Sequence, residues 1–356
     1  MLAWNGSLGF SPYDGITSPA YSVYRLSQEN NVGYFHYLLR SQIYKSEFKR
    51  NSSGVIESRL RLYTDDFYSI LSIVPPIEEQ TAIATFLDEK TAKIDLAIAQ
   101  KEKMIALLKE RKQIIIQDLV TGKKVWNATK NAWTEPIEVR DSGVEWIGEI
   151  PEGWEVKKIK HLIKKSFSGG TPSTDKTEYW DGGIPWISSV DIKTDFLSKS
   201  SREISEKGLK RSSSSIAPKG SVVFVTRSGI LQHTFALSIL EKDMAINQDI
   251  KCLIFSELLS QPYFLRLIQG NNSKILVETR QQAATVESIN MDSFFNLIIP
   301  IPSIKEQTSI VAHIEVQSAK IEKAIALQEQ QIEKLKELKA TLIDSAVTGK
   351  IRVNVQ

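Results

Sequence analysis

The sequence predicts an α+β protein in which mixed α/β domains alternate with two long helices that pair with each other. Two observations lead to this prediction. A stretch of 49 residues occurs twice, at 75–123 and 302–350, with 23 identical positions and a helical period in both copies. The rest of the chain consists of short apolar segments separated by glycine- and proline-containing turns, a texture typical of strands and short helices. A length of 356 residues suits two or more domains.

Residues 1–74 look like the C-terminal half of the domain that precedes the second repeat. Residues 34–39, Tyr-Phe-His-Tyr-Leu-Leu, stand before the first repeat much as residues 262–267 stand before the second. Residues 65–68 also lie opposite residues 292–295 at the repeat offset of 227. Only 74 residues precede the first repeat, so we expect the front half of a first domain to be absent.

Each repeat is predicted to form one long helix. Isoleucine and leucine recur at alternating spacings of three and four residues, a narrow strip that is typical of a coiled-coil seam. Proline and acidic residues mark each start, and Gly122 and Gly349, each followed by lysine, mark the ends. Because both copies share caps, length and seam, we expect them to pair inside one chain, each about 60 Å long. Polar residues interrupt the seam at Lys90, Lys101, Lys112, Gln317, Gln328 and Lys339.

Residues 124–149 are predicted to be a linker held by aromatic anchors, and residues 150–301 a complete mixed α/β domain. Strands are predicted at 221–226, 252–255 and 295–299, and a helix at 256–269. Residues 351–356 form a tail.

The composition narrows the class of protein. The 45 Lys+Arg against 42 Asp+Glu give a net charge of +3, which neither requires nor excludes nucleic acid. A single cysteine excludes a disulfide framework and a multi-thiolate zinc site. No apolar run approaches the ~18 residues of a membrane span, and the first residues lack a signal-peptide pattern. We therefore expect a cytoplasmic protein with no membrane contact.

The motifs of catalysis are missing from the sequence. It has neither a dinucleotide-binding glycine motif nor a phosphate-binding loop, and its four histidines are scattered without metal-ligand spacing. Residues 74–77, Val-Pro-Pro-Ile, lack the flanking amide and aromatic residues of an adenine methyltransferase motif. Two Asp-x-Lys triplets lack a second carboxylate for a nuclease metal site. We predict a protein that is not an enzyme and binds no metal or cofactor.

Several clusters carry the residue types that contact DNA. Basic side chains with small hydroxyl residues bind phosphates, whereas Arg, Asn, Gln, Ser and Thr on loops read bases. Basic clusters occur at 157–165, 202–211 and 50–61, and suitable loops at 168–174, 227–229 and 280–282. The candidate DNA-binding residues are Lys157, Lys158, Lys160, Lys164, Lys165, Ser168, Thr171, Arg202, Lys210, Arg211, Arg227, Arg280, Arg59 and Arg61.

In this order, the motifs resemble those of the specificity subunits of type I restriction–modification systems. The resemblance rests on Pro-Pro-Ile-Glu-Glu-Gln at 75–80, Pro-Ser-Ile-Lys-Glu-Gln at 302–307 and the Val-Thr-Gly-Lys that ends both repeats. It extends to Trp-Ile-Gly-Glu-Ile-Pro-Glu-Gly-Trp-Glu at 146–155 and Ser-Gly-Gly-Thr-Pro-Ser at 168–173.

The resemblance implies target recognition domains alternating with helices that pack as an antiparallel coiled coil. Each domain reads one half of a bipartite sequence in double-stranded DNA, and the helices set the spacer between the halves. Methylation subunits, which bind AdoMet, dock on the helices, and a restriction subunit joins them. The candidate partner-binding residues on the helices are Glu79, Gln80, Lys109, Glu110, Glu306, Gln307, Lys336 and Glu337.

Two other interpretations stay open at this point. One is a coiled-coil assembly scaffold without intact DNA recognition, because the first recognition domain is incomplete. The other is an autonomous methyltransferase. Salt-dependent DNA binding argues against the first, and AdoMet binding by the isolated chain supports the second.

Overall fold

The computed structural model describes residues 2–11, 13–19, 21–26, 29–56, 60–281 and 286–354. It divides into two compact units. Unit 1 consists of Met1–Leu107 together with Lys323–Gln356, and unit 2 is the continuous segment Leu108–Glu322. Both boundaries fall inside the long helices.

Unit 1 is helical in the part of it that the structure describes. It contains α1 (Val32–Arg40), α2 (Gln42–Arg50), α3 (Thr64–Ser69) and most of α4 (Ile77–Val120). Asn31 caps α1 by accepting a hydrogen bond from the Tyr34 backbone N–H. The core of this unit joins residues that are distant in sequence: Tyr34, Leu38, Phe48, Leu87, Ala346 and Val347 are all buried in it.

Unit 2 holds all the strands of the described residues. Its first half contains β1 (Val125–Asn127), β2 (Ala132–Thr134), β3 (Val139–Asp141), β4 (Glu149–Pro151), β5 (Glu155–Lys158), β6 (Ile163–Ser168), β7 (Trp180–Ile187), β8 (Phe196–Leu197), β9 (Arg202–Ile204) and α5 (Glu206–Lys210). Its second half contains β10 (Ser215–Ala217), β11 (Val222–Val225), β12 (Leu237–Leu240), β13 (Met244–Ile246), β14 (Ile250–Phe255), α6 (Gln261–Gly270), α7 (Asn272–Thr279), β15 (Arg280–Gln281), β16 (Ser288–Ile289), α8 (Met291–Asn296), β17 (Ile298–Ile301) and the start of α9 (Ile304–Val347).

Two sheets form the centre of unit 2. One has the order β6-β14-β11-β12-β8, and the other has the order β10-β13-β7-β9. The central strand β11 is apolar throughout, as expected for a strand that is buried on both faces, and its neighbour β12 is equally buried and apolar except for Ser238. Phe224, Phe235 and Phe294 pack ring to ring beside them.

The long helices α4 and α9 run antiparallel, because residue numbers rise along one where they fall along the other. In unit 1, Lys339 Nζ lies 2.6 Å from Asp95 Oδ2, and Lys101 donates to Gln328. In unit 2, Lys112 Nζ lies 2.6 Å from Glu322 Oε1. Each helix has 44 residues and is therefore about 66 Å long. The predicted α+β fold with two paired long helices is confirmed.

Three details differ from the prediction. Residues 295–299 are not one strand: Asn290 caps α8, which runs to Asn296 before β17 begins at Ile298. The helix predicted from residue 256 begins at Gln261, because the Ser260 hydroxyl caps it. Residues 124–149 contain a hairpin, β1–β2, in which Trp126 lies opposite Trp133, and the strand β3, which pairs with β4.

Candidate nucleic-acid interface

The strand directions in unit 2 bring separate loops to one edge of the five-stranded sheet. The strand β14 is antiparallel to both β6 and β11, and Lys251 lies opposite Ser168 on one side and Phe224 on the other. The end of β6, the start of β14 and the end of β11 therefore meet. We name this surface the loop edge and define it as residues 168–171, 210–214, 226–228, 247–249, 280–281 and 286–288.

Hydrogen bonds join the first loops of this edge. The Thr171 hydroxyl donates to Gln248 Oε1 at 2.7 Å. Thr226 donates to the Asp249 carbonyl through its backbone N–H at 2.8 Å and its hydroxyl at 3.0 Å. The loop at 168–174 and the loop at 227–229, which were predicted independently, are thus connected through residues 248 and 249.

The third predicted loop joins the edge through residues 286–288. Arg227 forms an antiparallel bridge with Ser288, and the Ser228 N–H donates to the Glu287 carbonyl at 3.1 Å. Arg280 lies 3.8 Å from the Glu287 carboxylate and donates to the Gln232 carbonyl at 3.3 Å. Arg227 is exposed, whereas Arg280 is held against the protein. Gln282, part of the same predicted loop, lies outside the described residues.

The end of α5 brings two cations to this edge. Ser214 donates from its hydroxyl to the Gly170 carbonyl, which also accepts from Trp186 Nε1 at 3.1 Å. Lys210 and Arg211, which directly precede this serine run, are exposed, and Lys210 Nζ lies 3.1 Å from Glu206 Oε2. The backbone at Gly169 lies so close to Ile246 that no side chain fits, because a Cβ on Gly169 would stand 1.8 Å from the Ile246 carbonyl oxygen.

The basic cluster at 157–165 lies elsewhere. Lys165 is opposite Ile254, three residues along β6 from Ser168 and hence about 10 Å from it. Most of its cations have partners inside the chain: Lys157 binds Glu155 at 2.6 Å and lowers the pKa of that carboxyl group. Lys160 donates to Asn296, Lys164 lies 3.2 Å from Glu257, Lys165 lies over the Phe167 ring, and Lys158 is half-buried.

Two further candidates lie away from the loop edge. The Arg202 guanidinium lies over the Trp180 ring, 3.5 Å from its centroid, on the β9 side of the four-stranded sheet. Arg61 is exposed in unit 1, where it forms an antiparallel bridge with Ser53. Arg59 lies outside the described residues.

The partner-binding candidates divide by exposure. Gln80 and Gln307 are 1% and 0% exposed, and their amides bind groups of this chain. Glu306 accepts hydrogen bonds from Ser303 and from Trp154 Nε1. Direct contact with a partner requires exposure. The exposed candidates are Glu79, Lys109, Glu110, Glu306, Lys336 and Glu337.

Sequence reasoning missed Gln248, the residue at the tip of the connection between β13 and β14. A signal was present: Asn-Gln-Asp at 247–249 is a short polar run between two apolar segments. Among the described residues, no group of three or more His, Cys, Asp or Glu side chains is arranged to hold a metal ion. Within the same residues, none of the helices has the length and apolar character of a membrane span.

Comparisons with known proteins agree with this architecture. Residues 151–337 match the family described as the type I restriction modification DNA specificity domain. The specificity subunit of the type I restriction enzyme EcoR124I/EcoR124II from Escherichia coli is 31% identical over 195 residues, which cover 54% of this chain and 45% of that protein. The specificity subunit of MjaIX from Methanocaldococcus jannaschii is 30% identical over 167 residues, which cover 46% and 38%.

The chain therefore spans less than half the length of these two curated relatives. Among solved structures, one that concerns complex assembly and conformational transition of the type I R-M system contains a chain with a TM-score of 0.67. The alignment covers 89% of this chain and 71% of that one at 15% identity, so the likeness shows a shared fold. The family predicted from the repeated motifs is confirmed, since its match extends over more than half of the residues: the chain belongs to the type I restriction modification DNA specificity domain family.

Proposed function

We propose that this protein is the DNA-recognition subunit of a type I restriction–modification complex and that unit 2 reads one half of a bipartite target. The observation that carries the proposal is the loop edge. Three loops that were selected for their residue types converge on one end of a sheet, although more than 100 residues separate the first from the last.

The chemistry of the loop edge suits double-stranded DNA. Lys210, Arg211 and Arg227 are exposed cations that can neutralise phosphates. Exposed amides at Gln248 and Gln281 offer the paired donor and acceptor that base edges require. A DNA-binding surface needs both the cations and the amides, since phosphate contacts position the protein and base contacts select the sequence.

We further propose that the methylation subunits dock on the exposed polar faces of α4 and α9. These subunits bind AdoMet and, with a restriction subunit, perform the chemistry, whereas this chain supplies sequence recognition. Family membership supports this division of labour. We expect the isolated chain to show no AdoMet binding by calorimetry and the complex with methylation subunits to bind it; AdoMet binding by the chain alone would favour the autonomous methyltransferase.

Salt-titrated DNA binding of the reconstituted complex tests the recognition role. Replacing Lys210 and Arg211 together by alanine removes two phosphate partners, so the slope of log K against log[salt] should decrease in magnitude by about 2. Lys219→Ala with Lys242→Ala is the matched control. These two exposed lysines lie in turns at the opposite end of the five-stranded sheet, so the same loss of charge should leave the slope unchanged.

If the two double variants have equal slopes of log K against log[salt], the cations of the loop edge do not contact DNA. A wild-type complex whose affinity is low and independent of sequence would instead support an assembly scaffold without DNA recognition.

A further inference from the structure

We infer that Gln248 is a base-reading residue that selects an adenine in the major groove, and that Thr171 and Asp249 hold its amide in position. This inference rests on the proposed function and adds the residue and the base that it recognises. The short connection between β13 and β14, residues 247–249, carries the chain from one sheet of unit 2 to the other.

The backbone of this connection is held on both sides of Gln248. The Asn247 N–H donates to the Ile187 carbonyl at 3.1 Å, and the Asn247 carbonyl accepts from the Gly169 N–H at 3.1 Å. Asn247 is 5% exposed, and its side-chain oxygen accepts from the Asp249 N–H at 3.1 Å. With the two bonds from Thr226 to the Asp249 carbonyl, the residues that flank Gln248 are fixed to both sheets and to β11. Gln248 thus projects from a rigid support.

The side chain of Gln248 is oriented as well, although it is exposed. Its Oε1 accepts from the Thr171 hydroxyl at 2.7 Å, and its Nε2 donates to Asp249 Oδ2 at 3.1 Å. An exposed glutamine ordinarily samples many rotamers and loses that freedom on binding. Here two partners of opposite hydrogen-bonding character restrict the amide before DNA arrives, which lowers the entropic cost of a specific contact.

The hydrogen-bonding groups that remain on the amide match adenine. A carboxamide has two N–H donors and two acceptor lone pairs on its oxygen. Thr171 uses one lone pair and Asp249 uses one N–H, so one acceptor and one donor remain on the same amide. Adenine presents an N6–H donor and an N7 acceptor side by side in the major groove, and glutamine pairs with both. Guanine presents two acceptors there and lacks the required donor.

The neighbouring groups of the loop edge have different roles. Lys210, Arg211 and Arg227 supply phosphate contacts, which carry no sequence information directly. Thr171 and Asp249 are positioning residues, because each acts through the amide of Gln248. Gln281 and Gln232 are also exposed on or beside the loop edge, but the two side-chain hydrogen bonds that fix Gln248 make it the best oriented of these amides.

The test uses the full chain in complex with methylation subunits. The recognition motif is first determined from the pattern of N6-methyladenine in a host that carries the wild-type complex. A panel of duplexes is then made in which each base pair of the motif is replaced in turn, and binding of wild type, Gln248→Ala, Thr171→Val and Gln42→Ala is measured. Gln42 is an exposed glutamine at the start of α2 in unit 1 and serves as the control.

For Gln248→Ala, we expect discrimination at one adenine-containing base pair to fall roughly 10- to 100-fold, while discrimination at the other positions is kept. Thr171→Val, which removes the hydroxyl but keeps the shape, should relax the same position by a smaller factor. Gln42→Ala should behave as wild type. The Lys210→Ala and Arg211→Ala pair should weaken binding to all duplexes by a similar factor.

The outcomes distinguish DNA recognition by the chain from base reading by Gln248. A wild-type complex that does not discriminate among the duplexes overturns the proposed function itself. A wild-type complex that discriminates, with Gln248→Ala giving the same profile, overturns only the role of Gln248. Relaxation at a base pair without adenine also overturns the inference, because the amide would then read another base.

Discussion

Two buried glutamines hold the starts of the long helices in the same way. Gln307 Oε1 accepts from the Ser260 N–H at 2.9 Å, and its Nε2 donates to the Leu258 and Pro302 carbonyls. Gln80 repeats the pattern with the Asn31 N–H and with the Pro75 carbonyl. The Glu-Gln pair of the repeated motif therefore serves the fold through its glutamine and leaves Glu79 at the surface.

Gln307→Ala should lower the free energy of unfolding by about 3 kcal/mol, since it leaves one buried N–H and two carbonyls without partners. Gln330→Ala, on the exposed face of the same helix, should change it by less than about 0.5 kcal/mol. Urea denaturation of both variants makes the comparison. A loss for Gln307→Ala no larger than for the control would show that water replaces these hydrogen bonds.

Because of Cys252, we expect the free energy of unfolding to change with pH in the alkaline range. Burial in β14 raises the pKa of its thiol to about 11, from an ordinary value of 9.0. The thiol stays protonated to a higher pH in the folded state than in the unfolded state. Its contribution to the free energy of unfolding is therefore complete below about pH 9 and is lost as the pH rises to about 11. The loss amounts to about 2–3 kcal/mol.

Urea midpoints measured from pH 8 to pH 11 should therefore fall more steeply for the wild type than for Cys252→Ala, which keeps the other titrating groups. Parallel curves for the two proteins would contradict the pKa assigned to the buried thiol.

At this scale, residue types were predictable but their partners were not. The cluster at 157–165 has the composition of a phosphate site, yet Lys157 and Lys164 each lie beside a carboxylate, one of which is almost a hundred residues away in sequence. The sequence marks Gln248 only as part of a short polar run between two apolar segments. Only the meeting of Thr171 and Gln248 gives its amide a defined orientation.

At the scale of elements, the ends of the two long helices provide an internal control. Gly122 and Gly349 both adopt positive φ, at 81° and 72°. A Cβ on Gly122 would stand 2.3 Å from Pro151 Cδ and 3.1 Å from the Trp154 ring, whereas a Cβ on Gly349 meets nothing within 4 Å. The first helix end is thus packed against the start of the following domain, and the second is open.

We expect Gly349→Ala to cost about 1–2 kcal/mol, the strain of a left-handed backbone, and Gly122→Ala to cost at least about 2 kcal/mol more. Thermal and urea unfolding of both variants give the difference. Equal costs would mean that the packing around Gly122 yields without loss.

Elements with a long period were predictable, and short ones were not. Forty-four residues with one seam leave little room for another interpretation of α4 or α9. Residues 291–301 are only eleven. The Asn290 cap starts their helix, and the pairing of β17 with β5, which is a tertiary contact, fixes their strand. Apolar character alone does not distinguish these states.

At the scale of the whole molecule, unit 1 is built from two distant parts of the chain. The Tyr34 hydroxyl, whose pKa burial raises to about 12, donates to the Val347 carbonyl, and the Gln42 N–H donates to Asp344. Ala346 and Val347 are buried among Leu38, Phe48 and Leu87. Unit 2, by contrast, takes all its residues from one continuous segment.

Deleting residues 338–356 should therefore unfold unit 1 selectively. Hydrogen exchange followed by mass spectrometry should show lost protection in α1 and α2, because their core loses Ala346 and Val347, while β11 and β14 stay protected. The single change Val347→Asp should give a weaker form of the same pattern. Equal loss of protection in both units would contradict the division of the core.

The family resemblance implied that the long helices are antiparallel. The repeat predicted that the two helices are similar and pair with each other, since a duplicated sequence is expected to form a similar structure twice. It did not predict that the division between compact units falls within the helices at Leu107 and Glu322. That boundary depends on which side chains each helix half meets, and these contacts are absent from a one-dimensional pattern.

The shared core of unit 1 also dictates the order in which the protein matures on the ribosome. Residues 108–322 emerge as an uninterrupted segment, so unit 2 has its full set of packing partners before residues 323–347 are made. Residues 1–107 emerge earlier, but Tyr34 and Leu38 lack their partners Ala346 and Val347 until the second half of α9 has left the exit tunnel. Unit 1 therefore completes its core after unit 2, although most of its residues are synthesised before those of unit 2.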